Sequence, residues 1–478
     1  SSDLMTKIID ILKKNQNLES ISITIAELSN SLNVPAYLVG GCVRDLIVDP
    51  LDSSFDVDIM VEGDGIDFAR KLADKLGVKT IVPFENFNTA KIPYKKFEIE
   101  VASARSEEYD QFSRKPKVSL TSVEEDLIRR DFTVNAMAIA LFNDYFGSLI
   151  DPFNGLKDLK NQILRTPLSD PNQTFIDDPL RMIRAAYFAS KLQMQIDIKS
   201  IEAITNNRTR IEIVSQERIT NEILKILSTS KPSIGFIFLQ EVGLLELIFP
   251  EIDVMKGLDQ NPEYHHKDIF YHTLDVVDNI VDSTSKIDLR LAALVHDIGK
   301  PLTRRIHKQK GYTFHGHDDV GARMLKEICQ RMKISNKTRD YITKLTALHL
   351  RPIALAGKEV TDSAIRRLIV EAGNEIEDLM KLCRADVTTK NINNMVKYMN
   401  NFQRVENRIS EVIETDKLRN FQSPVSGEEI MKLSSLKPGK KVGEIKSMVE
   451  EAILNGEIKN SYSAGIEFLS QVKKNKKY

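Results

Sequence analysis

The sequence contains 478 residues with a formal net charge of −1, and 42% of them are hydrophobic. This composition is typical of a soluble globular protein with room for about three domains, and the balanced charge excludes a uniformly basic nucleic-acid-binding chain. No hydrophobic run approaches the roughly 20 residues of a membrane-spanning helix. The amphipathic N-terminus lacks a signal-peptide layout, and the scattered Cys42, Cys329 and Cys383 have neither disulfide nor metal spacing. These features predict a cytoplasmic protein without membrane association.

The predicted elements change character along the chain. Residues 1–30 are predicted to form one or two helices. Between residues 31 and 160, runs such as "AYLV", "FDVDIMVE" and "FEIEVASAR" predict strands, and "CVRDLIV" and "GIDFARKLADKLG" predict helices between them. From about residue 161 apolar residues recur at helical spacing and strands fade. The pattern predicts an α+β head followed by an all-α body, with further boundaries near residues 260 and 400.

Two carboxylates, Asp56 and Asp58, lie one residue apart in the strand pattern "FDVDIMVE". Alternate residues of a strand point to the same face, so the two side chains would repel one another unless a cation lies between them. This spacing favours a divalent metal site, and the alternative is an exposed edge strand with two solvated acids. The preceding Gly40–Gly41 pair opens a predicted helix, where backbone amides can approach a phosphate. Glu100 could supply a third carboxylate, although Glu98 would point the same way.

Five motifs occur in the order of a known enzyme family. They are "GGCVRDLIVDPLDSSFDVDI", "RRDFTVNAMAI", "DPFNGLKDL", "DDPLRMIRA" and "QERITNEIL". The sequence thereby resembles the bacterial-type (class II) tRNA nucleotidyltransferases of the polymerase-β superfamily, which include CCA-adding enzymes. The resemblance implies a nucleotidyltransferase head at residues 31–160 and a helical nucleotide-selecting neck and RNA-binding body at residues 161–260. It also implies tRNA, CTP and ATP as partners.

The same resemblance assigns roles to individual residues of the head. Asp56, Asp58 and Glu100 would be catalytic, with the first two binding Mg²⁺ ions that activate the 3′ hydroxyl of RNA and neutralise the triphosphate. The nucleotide-binding residues that it implies are Gly40, Gly41, Arg44, Asp45, Arg129, Arg130, Asp131, Asn135, Asp178, Arg181 and Arg184. For Arg130 and Asp131, the alternative is an ordinary ion pair that caps a helix.

Asp178 and Arg181 share a helix face at a spacing of three residues. Cytosine and adenine both present an amino donor beside a ring-nitrogen acceptor, so one carboxylate and one guanidinium can pair with either base. Guanine and uracil reverse this pattern and would leave buried groups unpaired. The resemblance assigns this selecting role to the same two residues. The alternative for Asp178 is a helix N-cap followed by proline, and Asp177 stands where the family usually has Glu.

All eight histidines lie between His265 and His349, and this clustering points to a second metal site. The stretches "YHTLDVV", "LAALVHDIGKP", "FHGHDDV", "TALHLRP" and "CRADVT" resemble the HD phosphohydrolase domain, implied here for residues 261–400. The metal ligands implied by this resemblance are His272, His296, Asp297, His317, His349 and Asp386. Imidazole and carboxylate ligands suit a transition metal or Mg²⁺. The expected chemistry is hydrolysis of phosphomonoesters or cyclic phosphodiesters, and the alternative is a vestigial domain that keeps only the fold.

Residues Glu107–Val123 are polar and contain the basic run "RKPK", which predicts a mobile loop. In the family that the sequence resembles, a flexible loop in this part of the head is associated with the switch from C to A addition. The predicted function is therefore template-independent addition or repair of the 3′-terminal CCA of tRNA. The alternatives are a CC-only or A-only enzyme, a bacterial poly(A) polymerase, or a HD phosphohydrolase with an inactive head. Residues 401–478 are predicted to form a helical tail.

Overall fold

The computed structural model of the chain describes residues 2–49, 56–95, 97–108, 117–259, 268–307, 311–356, 361–389, 391–416 and 421–475. Its helices are, in chain order, α1 (Ser2–Lys14), α2 (Gln16–Leu32), α3 (Gly41–Val48), α4 (Gly65–Leu76), α5 (Val123–Ile128), α6 (Gly155–Asn161), α7 (Pro171–Asp177), α8 (Leu180–Leu192), α9 (Ile198–Asn207), α10 (Gln216–Ser228), α11 (Pro232–Glu241), α12 (Leu245–Ile248), α13 (Pro250–Asp253), α14 (Ile269–Val281), α15 (Ile287–Val295), α16 (Lys300–Thr303), α17 (His317–Arg331), α18 (Asn336–Leu348), α19 (Leu350–Ala356), α20 (Asp362–Ala372), α21 (Ile376–Ala385), α22 (Ile392–Asp416), α23 (Gly427–Ser434), α24 (Lys440–Leu454) and α25 (Tyr462–Asn475). None of these helices combines the length and apolarity that a bilayer crossing requires.

The described strands are β1 (Ala36–Val39), β2 (Val57–Val61), β3 (Val82–Phe84), β4 (Thr89–Tyr94), β5 (Phe97–Ser103), β6 (Arg105–Glu108), β7 (Lys117–Leu120), β8 (Ala138–Ala140), β9 (Leu149–Ile150), β10 (Ile163–Leu164), β11 (Gln195–Ile196), β12 (Arg305–His307) and β13 (Gly311–Thr313). Seven of them form a mixed sheet in the order β3-β4-β5-β2-β1-β8-β9. Only β2 and β5 run parallel among these neighbours. Their register sets Asp58 opposite Glu100, so two acids far apart in sequence meet on one sheet.

The hydrophobic core of the head forms between the sheet and its helices, because the strands are apolar on the faces that the helices cover. Strand β1 is buried along its whole length. The side chains of α1, α2, α3 and α4 pack with those of the central strands in one cluster, which includes Ile25, Leu46, Phe68, Ile59 and Val101. The sheet therefore supplies a rigid platform, which carries Asp58 near the start of β2 and Glu100 in the middle of β5, with Asp56 just before β2.

The chain divides into two compact units, one of residues 1–222 with 234–247 and the other of residues 223–233 with 248–478. The first unit contains the mixed sheet, and the second is helical apart from the short β12–β13 ladder among its described residues. The predicted α+β head and helical body are thereby confirmed. The predicted domain boundaries near residues 30, 160, 260 and 400 stay predictions.

Residues 223–233 are tied into the second unit by a buried arginine of α15. Arg290 Nη1 donates to Leu227 O at 2.9 Å and to Thr229 O at 3.1 Å. Its Nε donates to Thr284 O at 3.0 Å, and Nη2 donates to Val281 O at 3.3 Å. One guanidinium thus satisfies carbonyls of two segments of this unit, residues 227–229 and residues 281–284.

The structure of Glu107–Val123 differs from the mobile loop that the sequence predicts there. Strands β6 and β7 pair antiparallel, from Arg105 opposite Leu120 to Glu108 opposite Lys117. The prediction of a loop was wrong for both ends of the segment, which form a two-stranded stem. Residues 109–116 lie outside the described residues.

Candidate active site and metal centre

The turn between β1 and α3 comes close to the head carboxylates. Gly40 has a φ of 70°, a backbone conformation that residues with a side chain rarely adopt. A Cβ at Gly40 would lie 2.7 Å from Arg130 Nη1 and 3.9 Å from Asp58 Oδ2. This glycine therefore lies beside both a guanidinium and a carboxylate, in a space that a side chain would fill. The next residue, Gly41, is the first of α3.

The three predicted catalytic carboxylates differ in environment. Asp58 on β2 is partly buried, whereas Asp56 is exposed and lies just before the strand. Burial raises the pKa of Asp58 to about 6, Glu100 adds to this effect, and Arg130 opposes it. Asp56 acts in the same direction as Glu100 but less strongly. A group of carboxylates that repel one another in this way is relieved by a bound cation.

The contacts of strand β5 show which of its two glutamates is the third carboxylate beside Asp56 and Asp58. Lys91 Nζ on β4 pairs with Glu98 at 2.5 Å and with Glu100 at 3.6 Å. The N–H of Glu98 donates to Asp56 Oδ1 at 3.2 Å. Glu100 lies opposite Asp58 and is the carboxylate that raises its pKa most. Position therefore favours Glu100 as the third acid, while Glu98 holds Lys91.

The donor set of the head suits Mg²⁺ that is shared with a substrate. Asp56, Asp58 and Glu100 are not among the described groups of three ligands whose atoms all lie within 4.8 Å of one another. Mg²⁺ is usually bound by one or two carboxylates together with waters and substrate phosphates, not by a closed protein cage. The repulsion that raises the pKa of Asp58 is the observation that fits a cation here.

Asp126 is a residue that the sequence interpretation missed, and it holds two of the predicted nucleotide-binding arginines. It is buried on α5, and its Oδ1 accepts from Arg129 Nη2 at 2.6 Å and from the N–H of Arg105 at 3.3 Å. Its Oδ2 accepts from Arg130 Nη2 at 3.2 Å. Burial works against ionisation, but Arg130 and Arg129 overcome it and hold the pKa of Asp126 below its ordinary value. The spacing of three and four residues on a helix was the available signal.

Asp131 is the centre of a second buried network. Its Oδ2 accepts from Arg184 Nε at 2.8 Å and Nη2 at 2.6 Å, and its Oδ1 accepts from Asn135 Nδ2 at 3.0 Å. Burial opposes ionisation, but Arg184 and Asn135 keep the pKa of Asp131 below its ordinary value. Asp131 therefore pairs with Arg184 on α8 instead of with Arg130, and its role in nucleotide binding stays a prediction.

Arg44 joins the glycine turn to this network. It is buried, donates from Nε to Asp45 Oδ1 at 2.8 Å, and hydrogen-bonds Asn135 through Nη1. The guanidinium groups of Arg44 and Arg184 each lie 5.2 Å from the ring centroid of Phe188, a distance typical of cation–π contacts. Phe188 thus orients two of the predicted nucleotide-binding arginines at once.

The side chains of the two residues predicted to select the base have different described partners, although the N–H of Arg181 donates to the carbonyl of Asp178 at 3.0 Å. Asp178 Oδ1 accepts from the N–H of Leu180 at 3.2 Å, and its Oδ2 lies 3.5 Å from Arg218 Nη2. Arg181 Nη1 donates to Thr174 O at 3.2 Å, and its Nη2 donates to the carbonyl of Arg129 at 2.7 Å. Asp178 therefore accepts from the first N–H of α8, whose N-cap residue is Pro179. Arg181 is held by backbone carbonyls, and a guanidinium has further N–H groups that can meet a ligand.

In the second unit, four histidines and two aspartates converge. One group consists of His272, His296 and Asp386, the other of Asp297, His317 and His349, and within each group the ligand atoms lie within 4.8 Å of one another. Asp297 faces both groups, because Oδ2 is 3.2 Å from His296 Nε2 and Oδ1 is 3.1 Å from His317 Nε2. His307 and His315 stay outside the cluster, and His265 and His266 lie outside the described residues.

Helix ends supply these ligands and fix their orientation. His296 and His349 directly follow α15 and α18, and their Nδ1 atoms donate to Ala293 O at 2.8 Å and to Thr346 O at 2.6 Å. Carbonyls in the last turn of a helix have no partner within it, so they are free to accept. His317 donates from Nδ1 to Phe314 O at 2.8 Å. The Nε2 lone pairs of these three histidines therefore face the cluster, as in many metal sites.

The electrostatics of the cluster fit a divalent metal. His296 Nε2 is buried and makes no hydrogen bond, although carboxylate oxygens of Asp297 and Asp386 lie 3.2 and 3.4 Å away. Burial lowers the pKa of His296, but Asp297 and Asp386 reverse this effect and raise it to about 10. Burial and the neighbouring His296 lower the pKa of His349 to about 4. A buried imidazole nitrogen against two carboxylates is stabilised by a positive charge, which either a proton or a bound divalent metal can supply.

Lys300 is a second residue that the sequence interpretation missed. It opens α16 three residues after Asp297, and its Nζ lies 2.5 Å from Asp297 Oδ2. The same carboxylate oxygen thus faces His296 and a lysine. The motif "HDIGK" contains this spacing, but the spacing alone does not distinguish a ligand neighbour from a solvated lysine.

Three family models match the chain. They are described as "Poly A polymerase head domain" over residues 36–165, "Probable RNA and SrmB- binding site of polymerase A" over residues 193–256, and "HD domain" over residues 269–389. Both of the domains that carry the candidate sites imply the use of divalent metal ions.

Two relatives align with most of the chain. A multifunctional CCA protein of Pseudoalteromonas atlantica is 31% identical over 364 residues, which cover 73% of this chain and 84% of that protein. A multifunctional CCA protein of Shewanella frigidimarina is 33% identical over 324 residues, 66% of this chain and 73% of that protein. The chain belongs to the family of multifunctional CCA proteins. The resemblance to tRNA nucleotidyltransferases with a HD domain is thereby confirmed, and with it the assignment as a transferase enzyme.

Solved structures share the fold of this multifunctional CCA family member. The CCA-adding enzyme of Bacillus stearothermophilus in complex with CTP is 22% identical with a TM-score of 0.67, over 96% of this chain and 99% of that one. The Thermotoga maritima CCA-adding enzyme complexed with tRNA is 20% identical with a TM-score of 0.60, over 98% of each chain. At this identity the likeness supports the fold alone.

Proposed function

We propose that the chain adds or repairs the 3′-terminal CCA of tRNA, using CTP and ATP without a nucleic-acid template. The observation that carries this proposal is that Gly40 lies close to both the guanidinium of Arg130 and the carboxylate of Asp58. A triphosphate needs cations and metal-binding carboxylates near one another, with backbone close enough to donate.

The chemistry proposed for the head is nucleotidyl transfer. The RNA 3′ oxygen forms a bond to the α-phosphorus of the nucleotide, the bond to the β-phosphate oxygen breaks, and pyrophosphate leaves. Mg²⁺, held by Asp56, Asp58 and Glu100, would neutralise the triphosphate and make the 3′ hydroxyl more acidic. The arginines held by Asp126 and Asp131 supply fixed positive charge at the phosphates, and because their partners are buried they need little reorganisation.

Base selection is proposed for Asp178 and Arg181. The carbonyls of Thr174 and Arg129 hold Arg181 in one orientation, which lowers the entropy lost when its remaining N–H groups meet a base. Asp178 is fixed by the N–H of Leu180. This rigid pair would accept C and A and reject the reversed pattern of G and U by several kcal/mol, the cost of unpaired buried groups.

The proposal is tested with a tRNA that lacks CCA, incubated with CTP, ATP or both, with product length resolved on a gel. Full CCA addition requires three added nucleotides with both substrates and two with CTP alone. Addition of two nucleotides under both conditions would identify a CC-only enzyme. An enzyme that adds one A to a CC-ended tRNA, but nothing to a tRNA that lacks CCA, would be an A-only enzyme. Long A tails would identify a poly(A) polymerase.

A second activity, metal-dependent phosphohydrolysis, is proposed for the HD domain. The buried His296 Nε2, which makes no hydrogen bond, and the two ligand groups that Asp297 faces support a site for divalent metal. A metal ion bound there would activate water for attack on phosphorus. Titration of the chelated protein with Mn²⁺, Ni²⁺ or Mg²⁺ and release of p-nitrophenol from bis(p-nitrophenyl) phosphate test this activity, and no release with any metal would refute it.

We also propose a cytoplasmic location. It is supported by Cys42, Cys329 and Cys383, which are all free and buried, as expected in a reducing compartment.

A further inference from the structure

The hydroxyl of Thr388 contacts one predicted ligand of the HD domain in a way that sets this ligand apart from the others. Thr388 Oγ1 lies 2.9 Å from His272 Nδ1. The other three ligand histidines direct Nδ1 at backbone carbonyls instead. A carbonyl is present whatever the side chain, whereas a hydroxyl at this place depends on one residue of the sequence.

Thr388 also lies close in sequence to a second ligand of the same group. It comes two residues after Asp386, whose Oδ1 is 3.0 Å from His272 Nε2. One short segment therefore contacts both nitrogens of a single imidazole ring. Asn279 lies on the same face of α14 as His272, seven residues further on, and its Nδ2 donates to Ala385 O at 3.0 Å. Helix α14 is thus joined to the chain on both sides of Asp386.

The position of the ring proton decides whether His272 can bind a metal through Nε2. A neutral imidazole carries one N–H, so Nε2 offers a lone pair only when the proton is on Nδ1. The hydroxyl of Thr388 can accept a hydrogen bond from that N–H. Partners of this kind fix both the tautomer and the orientation of histidines that bind metals.

We infer that Thr388 is a positioning residue of the HD centre, which keeps the His272 ring turned toward Asp386 with Nε2 available to a divalent metal. The inference rests on the proposed metal-dependent hydrolysis and adds to it a residue that is not itself a ligand. The competing explanation is a hydroxyl that only stabilises the chain after α21. Such a hydroxyl would change the stability of the metal-free protein and leave its affinity for metal unchanged.

The test measures the affinity of the untagged full chain for Ni²⁺ by competition with a chromophoric chelator. Imidazole ligands suit Ni²⁺, and excess Mg²⁺ occupies the carboxylates of the head. Thr388→Val and Thr388→Ala both remove the hydroxyl, and Thr388→Ser keeps it. The matched control is Thr389→Val, because the neighbouring Thr389 Oγ1 accepts from the N–H of Asn391 at 3.3 Å.

Thr388→Val and Thr388→Ala are expected to weaken Ni²⁺ binding by about 10- to 100-fold, the usual effect of removing the partner of a metal-binding histidine. Thr388→Ser and Thr389→Val should stay close to the wild type. In a His272→Ala background, Thr388→Val should have no further effect, because the hydroxyl acts only through that ring. Thermal melting of each metal-free variant shows that it is folded.

Equal Ni²⁺ affinity in wild type and the two hydroxyl-free variants would overturn the inference, as would an undiminished effect of Thr388→Val in the His272→Ala background. Absence of Ni²⁺ binding by the wild type would refute the hydrolase proposal instead. In that case the imidazole ¹⁵N signals of His272 in the metal-free protein decide. A changed tautomer pattern in Thr388→Val but not in Thr389→Val supports the positioning role, and identical patterns refute it.

Discussion

Among single residues, Asp126 illustrates how a buried carboxylate sets the direction of several cations. Its two oxygens are divided between Arg129 and Arg130, and one of them also accepts from the backbone of Arg105 on β6. Because Arg129 O in turn accepts from Arg181, the orientation of Arg181, which is predicted to select the base, also depends on Asp126. Asp126 is therefore a positioning residue that supports ligand contacts made by others.

Replacing this carboxylate should loosen both arginines. Asp126→Asn leaves guanidinium groups without their buried counter-charge, which costs on the order of 3 kcal/mol, and should raise KM for CTP and ATP about 10-fold with a smaller change in kcat. Asp67→Asn is the matched control, because Asp67 pairs with Lys71 at an exposed site, where such pairs contribute roughly 0–1 kcal/mol. Thermal melting and nucleotide-addition kinetics check both; equal melting of the two variants would contradict this role.

The pH dependence of stability follows from the same group. Asp126 and Asp131 have folded-state pKa values below the ordinary 3.8. The unfolded chain thus binds more protons as the pH falls, so their stabilisation is complete above the ordinary pKa and is lost as the pH falls through the folded pKa. The melting temperature should decrease below about pH 4, and Asp126→Asn should show a shallower decrease. An unchanged slope in the variant would exclude Asp126 as a contributor.

The head carboxylates give a direct test of the nucleotidyl transfer. Asp58→Asn and Asp56→Asn should each reduce nucleotide addition by at least about 10³-fold, because the metal loses a ligand on which charge stabilisation depends. Asp58→Asn should leave the melting temperature unchanged or higher, since it removes repulsion with Glu100. The exposed Asp74→Asn on α4 serves as a control. Full activity in either variant would remove the head metal assignment.

Sequence reasoning at this scale is strongest where chemistry is local. The six residues predicted as ligands of the HD domain are motif residues, and the structure places them in two adjoining groups. The choice between Glu98 and Glu100 needed the register of β2 against β5, which no local pattern encodes. The partner of Asp131 was also hidden, because Arg184 reaches it from a helix that begins far along the chain.

At the scale of elements, β6 and β7 form a paired stem below the loop that is predicted to control product choice. The test of that loop should therefore leave the stem intact. Replacing residues 109–116 with a Gly/Ser linker keeps the paired stem and its contact with Asp126. We expect accumulation of the CC product with normal C incorporation, because only the final A depends on the loop. Product ladders with CTP and ATP measure this effect.

A second variant separates stem from loop. Replacing residues 105–120 also removes the contact of the Arg105 backbone with Asp126 and should impair C addition as well. Addition of the final A at the wild-type rate in the first variant would show that the loop is not the switch.

Helix ends explain why periodicity alone could not predict the metal centre. His296, His349 and Asp386 each occupy the position after the last residue of a helix, and His317 is the first residue of α17. Hydrophobic spacing predicts the helices but places their ends to within only a few residues. The orienting carbonyls are those that the last turn leaves free, so a shift of one residue would redirect the imidazole.

At the scale of the whole molecule, the two candidate sites lie in different compact units. His296→Ala with Asp297→Ala should abolish hydrolysis of bis(p-nitrophenyl) phosphate and spare nucleotide addition to within about 2-fold, since each unit has its own core. Both activities are measured on one preparation, with His307→Ala, an exposed histidine outside the cluster, as the control. Simultaneous loss of both would show that the sites depend on one another.

Residues 223–233 belong to the second unit although the chain returns to the first unit after them. They precede residues 234–247 of the first unit, yet their carbonyls satisfy Arg290 in the second. A fragment that begins at residue 248 would leave this buried guanidinium without two of its acceptors, whereas one that begins at residue 223 would keep them. The two units are interleaved along the chain, so a single cut at residue 248 does not separate them cleanly. Co-expression with residues 216–233 as a separate peptide should restore solubility to such a fragment.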